Sequence, residues 1–285
     1  MPFTLIKGRF KPLAGIPDGD SVRFLANDLK LWRRLEGKPP EIGRGAHNKG
    51  TVQLRFEGID AIEKMAIKPL STQARDHMLR LIGFDRRTNP EPVGYILARM
   101  TDDTSGRPIA FVFAGTTSQK DGSAVRLDRA WLRQSVNVKQ AKAGFAYPLY
   151  YNTLFATFRE EIDKAVAHAK KNKVGYWPLD RTLTGVTITG YKDLAAIAPI
   201  WPKLWRRLEE FLRQARSLAG FVTFLERRNE RVDILPIMEE RGLHDLVEVR
   251  GDTVRLTEWP EHIRVIGKAG RRCRCGYNER REANG

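Results

Sequence analysis

Asp18-Gly-Asp-Ser-Val-Arg-Phe-Leu25, taken together with Val52-Gln-Leu-Arg-Phe56, decides the fold. After the turn residues Pro17, Asp18, Gly19 and Asp20, the run Val22-Arg23-Phe24-Leu25 alternates apolar and polar positions, the period of a half-buried strand. Val52 to Phe56 repeats that period. Residues 1 to about 64 therefore read as strands. They are interrupted by an excursion from Asn27 to Gly50 rich in Lys, Arg, Gly and Pro, in which Leu31, Trp32 and Leu35 predict one helical turn ended by Pro39-Pro40.

Working outward, the spacing of Ala74, Met78, Leu79 and Ile82 predicts a helix over Ser71–Leu81 with Ser71 as N-cap. Val93–Arg99 and Pro108–Ala114 predict a hairpin around the turn Thr101–Gly106. Helices are expected over Leu127–Ala143 and Thr153–Asn172, the second carrying Phe155, Phe158, Ile162, Ala165, Val166 and Ala169 at helical spacing. Five strands interleaved with helices before residue 180 predict an α+β chain built on a five-stranded OB-fold β-barrel with packed helices.

The texture changes after Trp177-Pro178. Pro202 opens an amphipathic helix with Leu204, Trp205, Leu208, Phe211 and Leu212 on one side, and a second helix spans Leu218 to Arg227. Short strands follow at Val232–Leu235, Leu246–Arg250, Val254–Thr257 and Ile263–Ile266, predicting a small α+β domain over 181–270 and a basic tail over 271–285. Lys30–Glu36 is echoed at Lys203–Glu209, and Gly19–Arg23 at Gly251–Arg255; because the two echoes occur in reversed order in the two halves, they read as coincidence rather than duplication.

The chain has 285 residues, with 50 Lys and Arg against 34 Asp and Glu, a net charge of +16 and a pI near 10.1. Such a field attracts polyanions and accelerates their capture, which names nucleic acid as a partner class without naming a reaction. Cys273 and Cys275 stand too close in sequence for a relaxed disulfide and have no second Cys or His pair to complete a zinc site. The five histidines (His47, His77, His168, His244 and His262) show no ligand spacing. No apolar run reaches the roughly 18 residues of a membrane helix, and the N-terminal residues do not form a signal peptide. A cytoplasmic protein with no membrane partner is the expectation.

The acidic residues carry the chemistry. Asp18 and Asp20 lie where a turn enters one strand, and Asp60 and Glu63 follow another. Ends of adjacent barrel strands are about 5 Å apart, so these carboxylates can face one pocket. Two or three oxygen ligands completed by water describe a calcium or magnesium site, and the lack of His or Cys argues against zinc. Arg55 lies five residues before Asp60, on a strand whose other face is apolar, and Arg107 follows Gly106 at the close of the hairpin turn. Guanidinium forks match the equatorial oxygens of a phosphorus under attack, and a carboxylate beside a metal can deprotonate the attacking water.

With those residues in place, the chain resembles the staphylococcal nuclease (thermonuclease) family over roughly its first 178 residues. The matching blocks are Asp18-Gly-Asp-Ser-Val-Arg-Phe, Leu54-Arg-Phe-Glu-Gly-Ile-Asp-Ala-Ile-Glu63, Gly106-Arg-Pro-Ile-Ala-Phe-Val-Phe113, Val136-Asn137 and Ala169–Trp177. The resemblance implies a calcium-dependent endonuclease, magnesium or another divalent cation being the alternative, that cuts DNA and RNA to 3′-phosphate ends. It implies Asp20, Asp60 and the backbone carbonyl of Ala61 as metal ligands with Asp18 behind them. It further implies Glu63 as general base, and Arg55 and Arg107 as the residues that hold the phosphate. Tyr147, Tyr150 and Tyr151 lie near the positions at which the family stacks tyrosines on bases, with core packing as the alternative for each. Ile62 stands where the family has Pro, Thr104-Ser105 replaces a Lys-Tyr pair that binds terminal phosphate, and the 27–50 excursion is longer than the family's hairpin. The rival expectation is a non-catalytic OB module that binds nucleic acid or protein.

Overall fold

The computed structural model of the protein describes residues 2–63 and 66–267; the expected basic tail, with Cys273 and Cys275, lies outside them. The first half comprises β1 (Phe3–Phe10), β2 (Arg23–Ala26), β3 (Val52–Gln53), β4 (Arg55–Phe56), β5 (Ile59–Asp60), α1 (Leu70–Leu81), β6 (Val93–Thr101), β7 (Pro108–Ala114) and β8 (Ala124–Val125). Next come α2 (Arg129–Leu132), α3 (Val136–Lys142), β9 (Tyr147–Pro148), β10 (Tyr150–Tyr151) and α4 (Ala156–Lys171). The second half comprises β11 (Val186–Thr187), α5 (Pro202–Leu212), α6 (Phe221–Arg228), β12 (Arg231–Ile234), β13 (Glu239–Gly242), β14 (Val247–Arg250), β15 (Thr253–Leu256) and β16 (Ile263–Val265).

The main sheet has the order β3-β2-β1-β6-β7-β4, with β8 beside β1. β3 and β4 are its two ends in space, yet Leu54 alone separates them in sequence. The stretch Val52–Phe56, read as one strand, is thus two half-strands: Val52-Gln53 pairs antiparallel with β2, and Arg55-Phe56 pairs parallel with β7. Passing one continuous segment from edge to edge nearly closes the sheet into a barrel and leaves little free edge. Gly8 and Gly94 face one another in register, and a Cβ on Gly94 would lie 2.2 Å from the Phe10 ring. Glycine at that position gives the large ring room to pack inside.

Phe111 meets Phe3 and Phe158 edge-on in the first core, and Phe3 and Phe158 are tilted against each other, with centroids 5.6–5.9 Å apart. The helix expected over Leu127–Ala143 is two helices, each with its own cap: the Asp128 carboxylate accepts from Trp131 N at 2.7 Å, and the Ser135 hydroxyl accepts from Val138 N at 3.2 Å. Ser71 does not cap α1, which already begins at Leu70 after Pro69; its hydroxyl is buried inside the helix.

The second core is built by both halves. Ile62, Ala66, Ile67, Tyr147, Leu149 and Tyr176 pack with Trp201, Leu204, Leu208, Phe221, Val232 and Ile263. The sheet β10-β16-β12-β13 takes its first strand from the N-terminal half, and β10 runs parallel to β16. A three-stranded sheet, β11-β15-β14, completes the C-terminal part.

Asn137 pins the barrel next to the acidic residues. It is fully buried; its side-chain oxygen accepts from Val112 N at 2.9 Å, and its amide nitrogen donates to the carbonyls of Glu57 at 2.9 Å and Ala110 at 3.0 Å. Replacement by Ala leaves three backbone groups without that partner, so Asn137→Ala is expected to lower unfolding free energy by about 3 kcal/mol or more. Urea denaturation monitored by circular dichroism measures it, and a loss under about 1 kcal/mol would show the amide to be dispensable.

Candidate active site

Asp20 is held beside the phosphate-binding candidate Arg55 by the backbone. Its carbonyl accepts from Phe56 N at 3.0 Å, and Val22 O accepts from Leu54 N at 3.0 Å. The turn is pressed against the rest of the site at Gly19, where a Cβ would stand 2.6 Å from the Ala61 methyl and 3.0 Å from that of Ala74. Buried Gln140 fixes the turn from α3, donating to the carbonyls of Gly19 at 2.8 Å and Ala74 at 3.0 Å. Asp60 ends β5 opposite Tyr147 of β9, and Glu63 follows three residues later. Asp18, Asp20, Asp60, Ala61 and Glu63 are thus gathered with Arg55 at one place.

A residue outside the expected set completes the cluster. Arg206 reaches in from α5 and forks onto Asp60, with Nη1–Oδ1 at 3.0 Å and Nη2–Oδ2 at 2.7 Å; Nη1 also donates to Glu63 Oε1 at 2.9 Å. The Asp60 side chain is 3% exposed and that of Arg206 29%. Burial works against charge on Arg206, but Asp60 and Glu63 outweigh it and keep the guanidinium protonated. Burial pushes the Glu63 carboxyl up, and Arg206 partly reverses the shift. Asp20 is part-exposed but set among protein atoms: desolvation raises its pKa well above the usual carboxylate range, Asp18 and Asp60 add to the rise, and Arg55 opposes it.

Arg55 lies against Tyr151, 5.6 Å from the ring centroid, with Nη2 3.5 Å from the hydroxyl. Arg107 is separate from the carboxylates: its Nε donates to Asp102 at 3.0 Å and Ser105 Oγ at 3.0 Å within the hairpin turn. Arg55 is in register with Ile109, two residues beyond Arg107, so both arginines occupy one face of the sheet. There Arg107 lines a cavity of about 670 Å³ with Arg23, Arg44, Asn48 and Gln53. The long excursion forms one wall, closed on itself by Gly43 N to Thr51 O at 2.8 Å and Gly50 N to Gly43 O at 2.9 Å. Tyr147 and Tyr150 are fully buried, their hydroxyls donating to Asp180 at 2.7 Å and Asp163 at 2.5 Å; of the three tyrosines only Tyr151 is part-exposed.

The Ile62 departure has a packing reason: its side chain belongs to the second core, where a proline would remove apolar contact with the C-terminal half. Gln140 and Arg206 left no local signal, since each acts on residues far away in sequence. Among the described residues, no group of three or more His, Cys, Asp or Glu side chains is arranged to hold a metal, and Arg206 engages both Asp60 oxygens. In this arrangement the cluster does not fit a divalent cation. No protein-family model and no curated protein matches the chain.

Glu57, beside this cluster, is 5% exposed; burial pushes its carboxyl from 4.5 to about 7, against the pull of Arg99 and Arg55. The unfolded chain releases this proton first, so the stability that Glu57 contributes is full below pH 4.5 and is lost as pH rises towards about 7. The loss amounts to roughly 3 kcal/mol. Glu57→Gln is expected to flatten that decline, so the gap between variant and wild-type melting temperatures should widen from pH 5 to pH 8. Parallel curves would show that Glu57 ionises normally.

Proposed function

We propose that this protein hydrolyses phosphodiester bonds of nucleic acid, through a nuclease-like OB barrel similar to that of the staphylococcal family. The observation that carries the reading is the meeting of Asp18, Asp20, Asp60 and Glu63 with Arg55, from separate segments of the barrel. The net charge of +16 and the cavity lined by Arg23, Arg44 and Arg107 support a polyanionic substrate, DNA or RNA. Among the described residues no helix is long and apolar enough to cross a membrane.

In the proposed reaction Arg55 and Arg107 bind the scissile phosphate. Glu63 accepts a proton from water as its oxygen adds to phosphorus. The bond from phosphorus to the 5′-oxygen breaks, and that oxygen takes up a proton from solvent, leaving a 3′-phosphate and a 5′-hydroxyl. Guanidiniums at the equatorial oxygens neutralise charge that grows in the transition state. Calcium is the cation the resemblance implies; Asp20, Asp60 and the Ala61 carbonyl would hold it and it would supply positive charge beside the phosphate, whereas here Arg206 engages both Asp60 oxygens.

A second reading, a non-catalytic OB module, is favoured by one observation: Asp60 and Glu63 already have a cationic partner. Labelled single- and double-stranded DNA, incubated with calcium, magnesium or chelator, separates the two. Calcium-dependent cleavage to 3′-phosphates is expected, falling about a thousandfold in Glu63→Gln and comparably in Arg107→Ala. Binding that persists in chelator, with no cleavage under any cation, would establish the module instead.

A further inference from the structure

Antiparallel neighbours such as β2 and β3 need about two to five residues to connect them, and here the chain between Ala26 and Val52 is far longer. The extra length is fixed at both of its limbs. The first is laced to the β6–β7 hairpin: Glu36 N donates to Arg99 O at 2.9 Å, Thr101 N to Glu36 O at 2.9 Å, and Thr101 Oγ1 to Lys38 O at 2.7 Å. Gly106 of the hairpin turn lies so close that a Cβ there would stand 2.8 Å from Pro39 O. The second limb folds on itself, with Gly45 N donating to Asn48 Oδ1 at 2.9 Å and Thr51 N to Asn48 O at 3.0 Å. The cavity of about 670 Å³ that residues 40–44 line is thus walled by anchored backbone, and its size falls within the roughly 300–1,000 Å³ of small-molecule sites.

The cations of this cavity are not used up within the chain. Arg44 makes no hydrogen bond or ion pair among the described residues. Arg23 donates to the Thr51 hydroxyl at 3.1 Å, a neutral partner. Arg107 places its Nε on Asp102 and Ser105, and its two terminal nitrogens have no hydrogen bond among the described residues. Glu41 is the one carboxylate in the described lining, and Asp102 behind Arg107 adds a second, so three guanidiniums still leave positive charge in excess. Guanidiniums with uncommitted N–H groups suit the oxygens of a phosphate.

A bare phosphate would need nothing more, yet the lining offers more. Pro40, Ile42, Val52 and Pro108 give apolar surface of the kind that receives a ring or a sugar face. Two carboxamides stand with them. The Asn48 oxygen is taken by Gly45 N, which leaves its NH2 as a donor; Gln53 donates to Ser21 Oγ at 2.9 Å, which leaves its oxygen as an acceptor. A donor and an acceptor beside an apolar surface match the edge of a nucleobase. In a duplex that edge is paired and both faces are stacked, so only an unpaired nucleotide can bring base and phosphate together into such a cavity.

We propose that the cavity between the 36–50 excursion and the 105–108 turn is a subsite for one unpaired nucleotide of a nucleic-acid strand. Arg23 and Arg44 hold its phosphate, and the base lies against Ile42 and Val52 with Asn48 and Gln53 at its edge. Arg107 is shared with the proposed hydrolysis, and there the inference rests on that reading. Arg23 and Arg44 have no part in the proposed chemistry, so binding at the subsite can be measured apart from it.

Fluorescence anisotropy on the full chain, in chelator, tests it with a short labelled single strand and with the matching duplex. Arg44 is exposed, so Arg44→Gln should keep the fold, which circular dichroism verifies. It is expected to bind the single strand about tenfold more weakly than wild type, with Arg23→Gln comparable. Lys49→Gln removes the same charge from the excursion outside the cavity lining and should stay within about twofold of wild type. On the duplex, Arg44→Gln and Lys49→Gln should behave alike. Thymidine monophosphate should displace the strand from wild type at about a tenth of the inorganic phosphate concentration required. Equal losses in Arg44→Gln and Lys49→Gln on the single strand would overturn the subsite in favour of diffuse attraction. Equal potency of nucleotide and inorganic phosphate would overturn the base contact, and a mononucleotide bound as tightly as the strand would overturn the strand as its source. Should Arg44 prove necessary for single-strand binding while no cation supports cleavage, the subsite stands and the hydrolytic reading falls.

Discussion

A carboxylate removed from water must find a cation or take up a proton, and around Asp60 the fold supplies the cation from the far end of the chain. The pair formed with Arg206 spans 146 residues in sequence and joins the barrel to α5. Breaking one partner of such a pair is more costly than the pair is worth, because the orphaned charge stays behind. That asymmetry binds the two halves together. The second core reinforces it: Trp201 is buried with its indole on Pro148, while Ile62 and Ile67 of the barrel side pack among C-terminal side chains. The electrostatics of the acidic cluster and the docking of the second half are one arrangement.

The same arrangement divides labour in the groove. Carboxylates and Arg55 sit at one place, and a separate cavity is lined by Arg23 of β2, Arg107 of the hairpin turn and Arg44 of the long excursion. Three guanidiniums against the single carboxylate of Glu41 make that cavity cationic on balance. Thr104 and Ser105, in place of the Lys-Tyr pair of the resembled family, belong to a turn gathered around Asp102, which accepts from Ser105 N at 2.5 Å and from Thr104 N at 3.1 Å. The turn spends its polar groups on its own closure, and the excursion contributes the guanidinium of Arg44 to the cavity.

Much of this was legible in the residues because it is local. β7 was read at its true ends, Pro108 and Ala114, since its apolar run is bounded by a turn and a glycine. Pro202 marked the start of α5, as proline at a first helical position does. The acids and Arg55 were found from their place beside strands. Less legible was whatever depends on partners distant in sequence. Val52–Phe56 has one alternation pattern, and only pairing with β2 on one side and β7 on the other shows the break at Leu54. Ser135 interrupts an otherwise continuous helical pattern because its hydroxyl caps a new start. Arg206 is one cation among many on an amphipathic helix, and nothing within α5 says which carboxylate it faces.

The parallel pairing of β10 with β16 sets an order of events for a chain made from its N-terminus. Tyr150-Tyr151 wait for Arg264-Val265, which are among the last described residues to be synthesised. The barrel strands β1, β6 and β7 have their neighbours early, but the second core cannot close until the final strand emerges, and contacts so distant in sequence form slowly. Arg206 and its partners Asp60 and Glu63 are all made before that strand, so the ion pair that joins the halves has both its members while the sheet behind it is still incomplete. A ribosome releasing this protein therefore hands over the clasp before the last plank it fastens.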